Sequence, residues 1–179
     1  QNSLNNIGII YDQMGDRENA TAYSMKLIEF QEKNHLEPLK TNPYDQIGKN
    51  LKFFKKYDEA LPYFNKALAI ETRYKNYTGM AISENSLGNL YDDIQKPQEA
   101  IKHFVTGLRY AEKVNYQLLQ TDLLINLGRM YQQLKWFEKA AGCVEKSEQI
   151  CKQLEVTKPL KTLYQSMGDL YFFQKQYPM

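Results

Sequence analysis

The sequence predicts an all-α protein, a solenoid of antiparallel helix hairpins with about 4.5 repeats. Two observations carry this prediction. Hydrophobic side chains recur with the 3.6-residue period of an α-helix along most of the 179-residue chain. In addition, one glycine recurs every forty residues inside these helical stretches, at Gly8, Gly48, Gly88, Gly128 and Gly168. A fixed period of this length indicates a repeat architecture, with units 1–40, 41–80, 81–120, 121–160 and a partial unit 161–179.

Two further positions of the forty-residue unit carry the same kind of residue in most units. Position 20 is alanine in every complete unit, at Ala20, Ala60, Ala100 and Ala140. Position 11 is aromatic in four of five units, the set being Tyr11, Leu51, Tyr91, Tyr131 and Tyr171. A glycine inside a helix costs about 1 kcal/mol relative to alanine. We therefore expect the small residues at positions 8 and 20 to let two helices approach closely, with the ring at position 11 covering their contact.

The third unit shows where the helices begin and end. Its first helix is expected to stop near Ile94, and Pro97 can open the second, where a missing N–H does no harm. Asn42 and Pro43 similarly look like the cap and first turn of the second unit's opening helix. The second helix of the third unit carries one stripe of small and apolar residues: Ala100, Phe104, Gly107 and Leu108.

Composition excludes several classes of protein. Hydrophobic residues make up 42% and charged residues 25% of the chain, which is ordinary for a folded protein. A net charge of +2 does not by itself indicate nucleic acid or an anionic membrane. The aromatic residues fall largely on packing positions, which favours a core over a base-stacking platform. Cys143 and Cys151, about 12 Å apart on one helix, are too distant for a disulfide and read as small apolar residues.

The stretches LGNLYDDIQKPQEAIKHF and LGRMYQQLKWFEKAAGCV resemble the tetratricopeptide repeat. The period of forty exceeds the usual 34, and Glu84 stands at position 4, where the repeat usually has tryptophan. This long-helix variety is similar to the arrays of bacterial Rap-type peptide receptors and kinesin light chains. It also resembles the sensor modules of bacterial two-component and transcription regulators, especially those of Bacteroidota.

The resemblance implies a right-handed superhelix whose opening helices line a concave groove. It places positions 2, 5, 9, 12 and 13 of those helices on the groove surface. The predicted binding residues for a protein or peptide segment are Asp45, Lys49, Lys52, Phe53, Asn85, Asn89, Asp92, Asp93, Ile125, Arg129, Gln132 and Gln133. The same row contains Asn5, Ile9, Asp12, Gln13 and Asp122, and in the fifth unit Gln165, Asp169, Phe172 and Phe173.

The predicted row suggests a chemistry of recognition. Amides can hold an extended backbone because each offers donors and acceptors. Lysine and arginine can take carboxylates, the paired aspartates can take basic groups, and Phe53 can hold an apolar side chain. The alternative is an ordinary solvated helix face. No unit has lysine at position 5, so the carboxylate clamp that some members of this repeat family use for chaperone tails is not expected.

Motifs of enzymes, metal sites and cofactor sites are missing from the sequence. The two histidines, His35 and His103, have no sequence neighbours that suggest a catalytic triad. Asp92 and Asp93 are adjacent, so on a helix they point about 100° apart, which is poor geometry for shared acid–base chemistry. We therefore expect no enzyme, no metal and no cofactor.

The unit 161–179 stops where its second helix should begin, which indicates a fragment of a longer protein. An apolar end is then expected at Leu170, Phe173 and Tyr177, covered by a further domain or by a second copy in a homodimer. The favoured function is the sensor or scaffold region of a larger bacterial regulator. A stand-alone adaptor is the alternative, and a hydrolase using His103 or Asp93 is disfavoured. The sequence leaves the compartment open between cytoplasm and periplasm.

Overall fold

The computed structural model describes residues 2–36 and 43–154. Within these residues the chain forms eight α-helices and no strand, in agreement with the all-α prediction. The fifth unit, including Gly168, Leu170, Phe173 and Tyr177, lies outside the described residues. The helices are α1 (Asn2–Gln13), α2 (Arg17–Lys33), α3 (Pro43–Phe53), α4 (Tyr57–Arg73), α5 (Tyr77–Asp93), α6 (Pro97–Lys113), α7 (Gln117–Gln133) and α8 (Phe137–Gln153).

The helices pair into four successive antiparallel hairpins, and the predicted solenoid is confirmed. In the third hairpin α5 ends at Asp93 and Pro97 is the first residue of α6, as the sequence predicts. The opening helices α5 and α7 begin at Tyr77 and Gln117, four residues before the boundaries of the forty-residue frame. The third and fourth hairpins therefore start in the last four residues of the preceding sequence unit.

Every turn between helices has the same construction. The residue after each C-cap adopts a left-handed conformation, with φ between 50° and 78°, and these residues are twenty positions apart: Gly15, His35, Lys55, Lys75, Gln95, Asn115 and Lys135. In each turn two backbone N–H groups bond back to the last helical turn, as when Lys96 N–H donates to Tyr91 O at 2.8 Å. This pattern is the Schellman motif. It supplies hydrogen-bond donors to the last carbonyl groups of each of these helices. The same turn conformation therefore recurs every twenty residues.

The repeated glycines lie at the contact between the two helices of each hairpin. A Cβ atom on Gly48 would lie 2.7 Å from the ring of Phe64, and one on Gly88 would overlap the ring of Phe104. Close approach therefore requires glycine at these two positions, as predicted. At Gly128 the nearest side-chain atom would be 3.7 Å away, so the glycine there is not required by packing. All four position-20 alanines are fully buried.

The opening helices form the inner layer of the solenoid. Helix α5 packs against both α3 and α7, whereas within residues 43–154 no comparable contacts join α4 to α6 or α6 to α8. Helix α5 accordingly buries eight of its residues and α6 only four. A row of helices that approach each other on one side and diverge on the other is curved, with the opening helices on the concave side.

The core between the hairpins is built from large apolar side chains. Phe64 of α4 packs with Leu87 and Leu90 of α5, while Phe104 of α6 packs with Leu123 and Leu127 of α7. Phe64 and Phe104, both at unit position 24, thus fasten the second hairpin to the third and the third hairpin to the fourth. Among the described helices, none has the length and apolar character needed to cross a membrane.

Both cysteines lie in α8, buried and unpaired, as expected for small apolar core residues. Burial raises the pKa of the Cys143 thiol to about 11. Burial likewise raises the pKa of the Cys151 thiol. Both thiols are therefore protonated at neutral pH and poor nucleophiles.

Candidate binding groove

Polar side chains connect neighbouring opening helices across the concave surface. Lys52 Nζ of α3 donates to Asp93 Oδ2 of α5 at 2.8 Å, and Arg129 Nη2 of α7 donates to Asp92 Oδ2 of α5 at 2.6 Å. We call these contacts, together with the amide pair described next, the inner ladder. Since Asp92 and Asp93 reach in opposite directions, α5 is tied to the hairpin on each side.

The amide pair of the inner ladder joins α5 to α7. Asn126 Nδ2 donates to Asn85 Oδ1 at 3.1 Å. Asn85 was predicted to lie on the groove from its position in the repeat, whereas Asn126 was not. Both side chains are half-buried. Each amide retains further donor or acceptor capacity after this one bond, because an amide has two N–H donors and an oxygen with two lone pairs.

A second polar cluster links the first two hairpins. Gln46 Nε2 donates to Asp12 Oδ1 at 2.6 Å, and Arg17 Nη1 donates to Asn50 Oδ1 at 3.2 Å. The guanidinium of Arg17 also lies over the ring of Phe53, 4.2 Å from its centre, an arrangement that attracts a cation to the ring face. Phe53 is 61% exposed, so it offers an apolar surface next to the Arg17 guanidinium.

The remaining predicted groove residues have different environments. Asn89, Ile125 and Gln132 are half-buried on α5 and α7, and Gln133 is exposed. Asp45 is buried and forms an ion pair with Lys49 Nζ, with 2.6 Å between nitrogen and Oδ2. All three predicted cations, Lys49, Lys52 and Arg129, therefore already have an acidic partner within the array. A ligand that uses Lys52 or Arg129 must compete with Asp93 or Asp92.

Sequence reasoning missed Arg17, Gln46, Asn50 and Asn126. Gln46 and Asn126 share unit position 6, where the other units have Asn6, Ser86 and Ser166. A polar residue kept at this position in every unit is the signal that could have identified them. Arg17 and Asn50 bond across two hairpins, and no periodic pattern indicates that pairing.

A cavity of about 260 Å³ opens among α1, α3 and α5 in the first half of the array. Its wall includes the predicted groove residues Asp45 and Lys49 together with Glu71 and Gly79. Oδ1 of Asp45 is buried, and no residue among 2–36 and 43–154 forms a hydrogen bond with it. The cavity therefore adds a charged recess to the groove that was not predicted as such.

His103 lies next to a carboxylate that the sequence did not predict. Nδ1 of His103 lies 2.7 Å from Glu84 Oε2, and its ring stacks on Tyr91 with 5.1 Å between centres. Glu84 is the departure at unit position 4, and its contact with His103 links α5 to α6. Stacking and hydrogen bonding together indicate that the pair holds the hairpin closed.

The fold and the groove define a repeat array of the kind that works as a protein-interaction module. Two family models, both described as tetratricopeptide repeat, match residues 42–113 and residues 1–34 and 121–153. The chain belongs to the tetratricopeptide-repeat family. The resemblance drawn from the repeated motifs is thereby confirmed.

Three known proteins show what the chain is similar to. Response regulator aspartate phosphatase A of Bacillus subtilis (strain 168) is 31% identical over 113 residues, which are 63% of this chain and 30% of that protein. The structure of a Rap protein complexed with competence and sporulation factor superposes with a TM-score of 0.82 at 14% identity, covering 97% of this chain and 52% of that chain. BtubC (BKLC) from P. vanneervenii superposes with a TM-score of 0.77 at 21% identity, covering 85% and 63%.

These similarities support different conclusions. At identities of 14% and 21%, the Rap protein and BtubC structures show only that they share their fold with this chain. The chain spans less than a third of the length of the Bacillus subtilis phosphatase and about half of the Rap protein. What either whole protein does is therefore not transferred to this chain by similarity alone.

Proposed function

We propose that the array binds an extended protein or peptide segment in the groove of its opening helices, without catalysis, as the sensor or scaffold region of a larger bacterial regulatory protein. The observation that carries this proposal is the inner ladder, a continuous row of amides and charges from α3 to α7. The similarity to a response regulator phosphatase and to a Rap protein seen with a bound factor supports a regulatory setting.

The inner ladder suits a ligand with an extended backbone. Asn85, Asn89 and Gln132 offer donors and acceptors at intervals along the groove, and a peptide backbone presents the complementary groups at every residue. The ion pairs do not prevent such binding. An exposed pair contributes at most about 1 kcal/mol, so a ligand carboxylate can displace Asp92 from Arg129 at little loss.

Non-catalytic action is proposed because tetratricopeptide arrays typically lack catalysis and because the groove is built from amides and mutually neutralised charges. The Bacillus subtilis relative is named a phosphatase, so the absence of turnover requires a direct test. Incubation of the chain with an acyl-phosphate such as acetyl phosphate should release no more phosphate than buffer alone. A rate that saturates with substrate and falls on replacement of Asp93 would contradict this part of the proposal.

The groove itself is tested by selecting binders from a displayed library of random twelve-residue peptides. Affinities of the selected peptides are then measured by fluorescence anisotropy for the wild-type chain and for the double variant Asn85→Ala, Asn89→Ala. The matched control is Glu99→Ala with Lys102→Ala, an exposed pair on α6, 2.8 Å apart. Loss of two amide contacts, each contributing about 1 kcal/mol, should weaken binding at least about tenfold.

The control variant should bind within about twofold of wild type, because Glu99 and Lys102 lie on α6, which is not one of the opening helices that line the groove. Circular dichroism must show equal helicity for all three proteins. Unchanged affinity of the groove variant would place binding elsewhere on the array. A stand-alone adaptor would use the same groove. That alternative would be favoured if the full-length chain captured a stable protein partner and no soluble peptide.

The predicted homodimer through the solenoid ends stays a prediction. Sedimentation at several concentrations of the full chain would test it. A single species with the mass of one chain at all concentrations would contradict it.

A further inference from the structure

Four basic side chains lie on one edge of the array without an acidic partner. Arg73 ends α4, Lys75 lies in the turn that follows, and Arg109 and Lys113 lie in the last two turns of α6. All four side chains belong to exposed residues. None of them forms an ion pair with another described residue, whereas the cations of the inner ladder are paired.

A pair of tyrosines brings the two basic segments together. The ring of Tyr77, the first residue of α5, lies 6.0 Å from the ring of Tyr110 in α6, measured between centres. Lys113 Nζ lies 3.7 Å from the centre of the Tyr77 ring. The Lys113 ammonium, by donating a hydrogen bond and by its charge, holds the pKa of Tyr77 below its ordinary value, and the charge of Lys75 adds to the effect. The turn after α4 and the end of α6 therefore share one positive field.

Exposed apolar side chains lie among these cations. Four of them are between 37% and 48% exposed: Tyr74, Val114, Tyr116 and Leu118. The guanidinium of Arg73 lies 5.6 Å from the centre of the Tyr74 ring. We call the surface formed by residues 73–77 and 109–118 the basic edge. Its combination of arginine, tyrosine and uncovered hydrocarbon is typical of protein–protein interfaces.

The acidic residues near the basic edge do not neutralise it. Within its residues the only acid is Glu112, so four cations and one carboxylate leave a net charge of +3. Glu71, just before the edge, is buried and accepts a hydrogen bond from Asn76 at 2.6 Å. The positive charge of the basic edge is therefore available to a partner of opposite charge.

We propose that the basic edge docks an acidic segment of a partner protein. The segment's carboxylates pair with the lysines and arginines, and its apolar side chains cover the exposed tyrosines. This surface is separate from the groove residues at the far end of α5, because Tyr77 and Asp92 lie fifteen residues apart, about 22 Å along the helix axis. The inference thus goes beyond the proposed function, since a second partner can bind while the groove is occupied.

The extent of the charge favours a protein over a nucleic acid or an anionic membrane. The other second helices end on the same side of the array, but the positive charge does not continue there. Lys33 of α2 is accompanied by Glu29 and Glu32, and Lys152 of α8 pairs with Glu148 at 3.0 Å. Nucleic acid presents a phosphate about every 3.4 Å along each strand. A patch of two turns matches a short run of carboxylates instead.

The test uses an acidic peptide as the probe. A fluorescently labelled peptide with glutamates around a central leucine–tyrosine pair is titrated with the full chain, and binding is followed by fluorescence anisotropy. A matched peptide has glutamine for every glutamate. The acidic peptide should bind at least about tenfold more tightly at low salt and lose affinity as NaCl is added. In the ¹⁵N-labelled chain, the amide signals of Tyr74, Lys75, Asn115 and Tyr116 should shift.

The double variant Lys75→Gln, Lys113→Gln should weaken the acidic peptide at least about fivefold, because two ion pairs with the peptide are lost. The matched control is Lys55→Gln with Lys135→Gln, two exposed lysines of turns on the opposite edge. It removes the same charge and should bind within about twofold of wild type. Gln95 already adopts the left-handed conformation of these turn lysines, so glutamine suits the backbone there. Circular dichroism must show equal helicity.

Three results would overturn the proposal. Equal weakening by both double variants would show a response to net charge alone. Amide shifts confined to the groove would place the acidic peptide there. Tighter binding to phosphatidylserine vesicles or to single-stranded DNA than to the acidic peptide, lost in the Lys75, Lys113 variant, would assign the basic edge to a different partner. A groove peptide selected as above should bind this variant as tightly as wild type, and weaker binding would contradict two separate surfaces.

Discussion

Gly48 and Phe64 face each other so closely that a Cβ atom on Gly48 would lie 2.7 Å from the ring. Carbon atoms that are not bonded to each other prefer about 3.5–4.0 Å. The substitution Gly48→Ala should therefore lower the free energy of unfolding by about 1–3 kcal/mol, the usual range for an overpacked core. Urea unfolding followed by circular dichroism measures this change.

The matched control for that experiment is Gly128→Ala. Its added methyl would meet its nearest side-chain atom, Cys143 Cβ, at an ordinary 3.7 Å. Removing a helical glycine here should raise the free energy of unfolding by up to about 1 kcal/mol. Destabilisation by both substitutions to the same extent would show that the packing difference between the hairpins has no energetic consequence.

The ion pair between Asp92 and Arg129 should couple α5 to α7 measurably. A double-mutant cycle with Asp92→Ala and Arg129→Ala should give a coupling energy of about 0.5–1 kcal/mol at low salt. Because both side chains reach solvent, with 15% and 47% exposure, the coupling should shrink at 1 M NaCl. A coupling energy that does not change with salt would argue against an electrostatic contact.

The left-handed turn residues offer sites for stabilisation. Gln95 and Lys135 adopt φ of 58° and 60°, a conformation that costs a non-glycine residue about 1–2 kcal/mol. Replacement by glycine removes this strain but adds freedom to the unfolded chain, worth about 0.4–1 kcal/mol. The variants Gln95→Gly and Lys135→Gly should each gain about 0.5–1 kcal/mol in urea unfolding. Gly15→Ala, the reverse change at an equivalent turn, should lose stability.

The raised pKa of Cys143 predicts slow thiol chemistry and a pH effect. At pH 8 a thiol with a pKa of about 11 is thiolate in only about one molecule in a thousand. Folded chain should thus react slowly with a disulfide reagent, and two thiols should react on unfolding. The folded state holds this proton more tightly than the unfolded state, so stability should fall as pH rises from about 9 to 11.

Cys143→Ala is the control for the pH effect, because other groups also titrate in this range. The variant should lose less stability than wild type between these two pH values. Identical pH dependence of the two proteins would contradict the assignment of the effect to Cys143.

The fold was predictable because its signal is internal. The recurrence of Gly8, Gly48, Gly88 and Gly128 needed no other sequence, and the packing reason for it holds at the two glycines that face phenylalanine. It fails at Gly128, since Val144 stands where Phe64 and Phe104 stand in the preceding units. The period shows where a residue lies but not how large its partner is.

The candidate site was predictable only in outline. Repeat position placed Lys52, Asp93 and Arg129 on the concave side, yet it did not show that they bind acidic or basic partners one hairpin away. Such pairing depends on the offset between neighbouring helices, which is 41 residues for Lys52 with Asp93 and 37 for Asp92 with Arg129. The cavity was missed for a similar reason, because the repeat period does not show that Glu71 and Gly79 stand where the next unit has Ala111 and Leu119.

The turns recur every twenty residues, while the alternation between inner and outer helices recurs every forty. Excising one helix with its turn would leave the spacing of the remaining turns intact but would exchange the roles of all later helices. Polar helix faces that line the groove would then be buried, and phenylalanines of the core would be exposed to solvent. Natural or engineered changes in array length should therefore succeed in steps of whole hairpins, and a chain shortened by a single helix should fail to fold cooperatively.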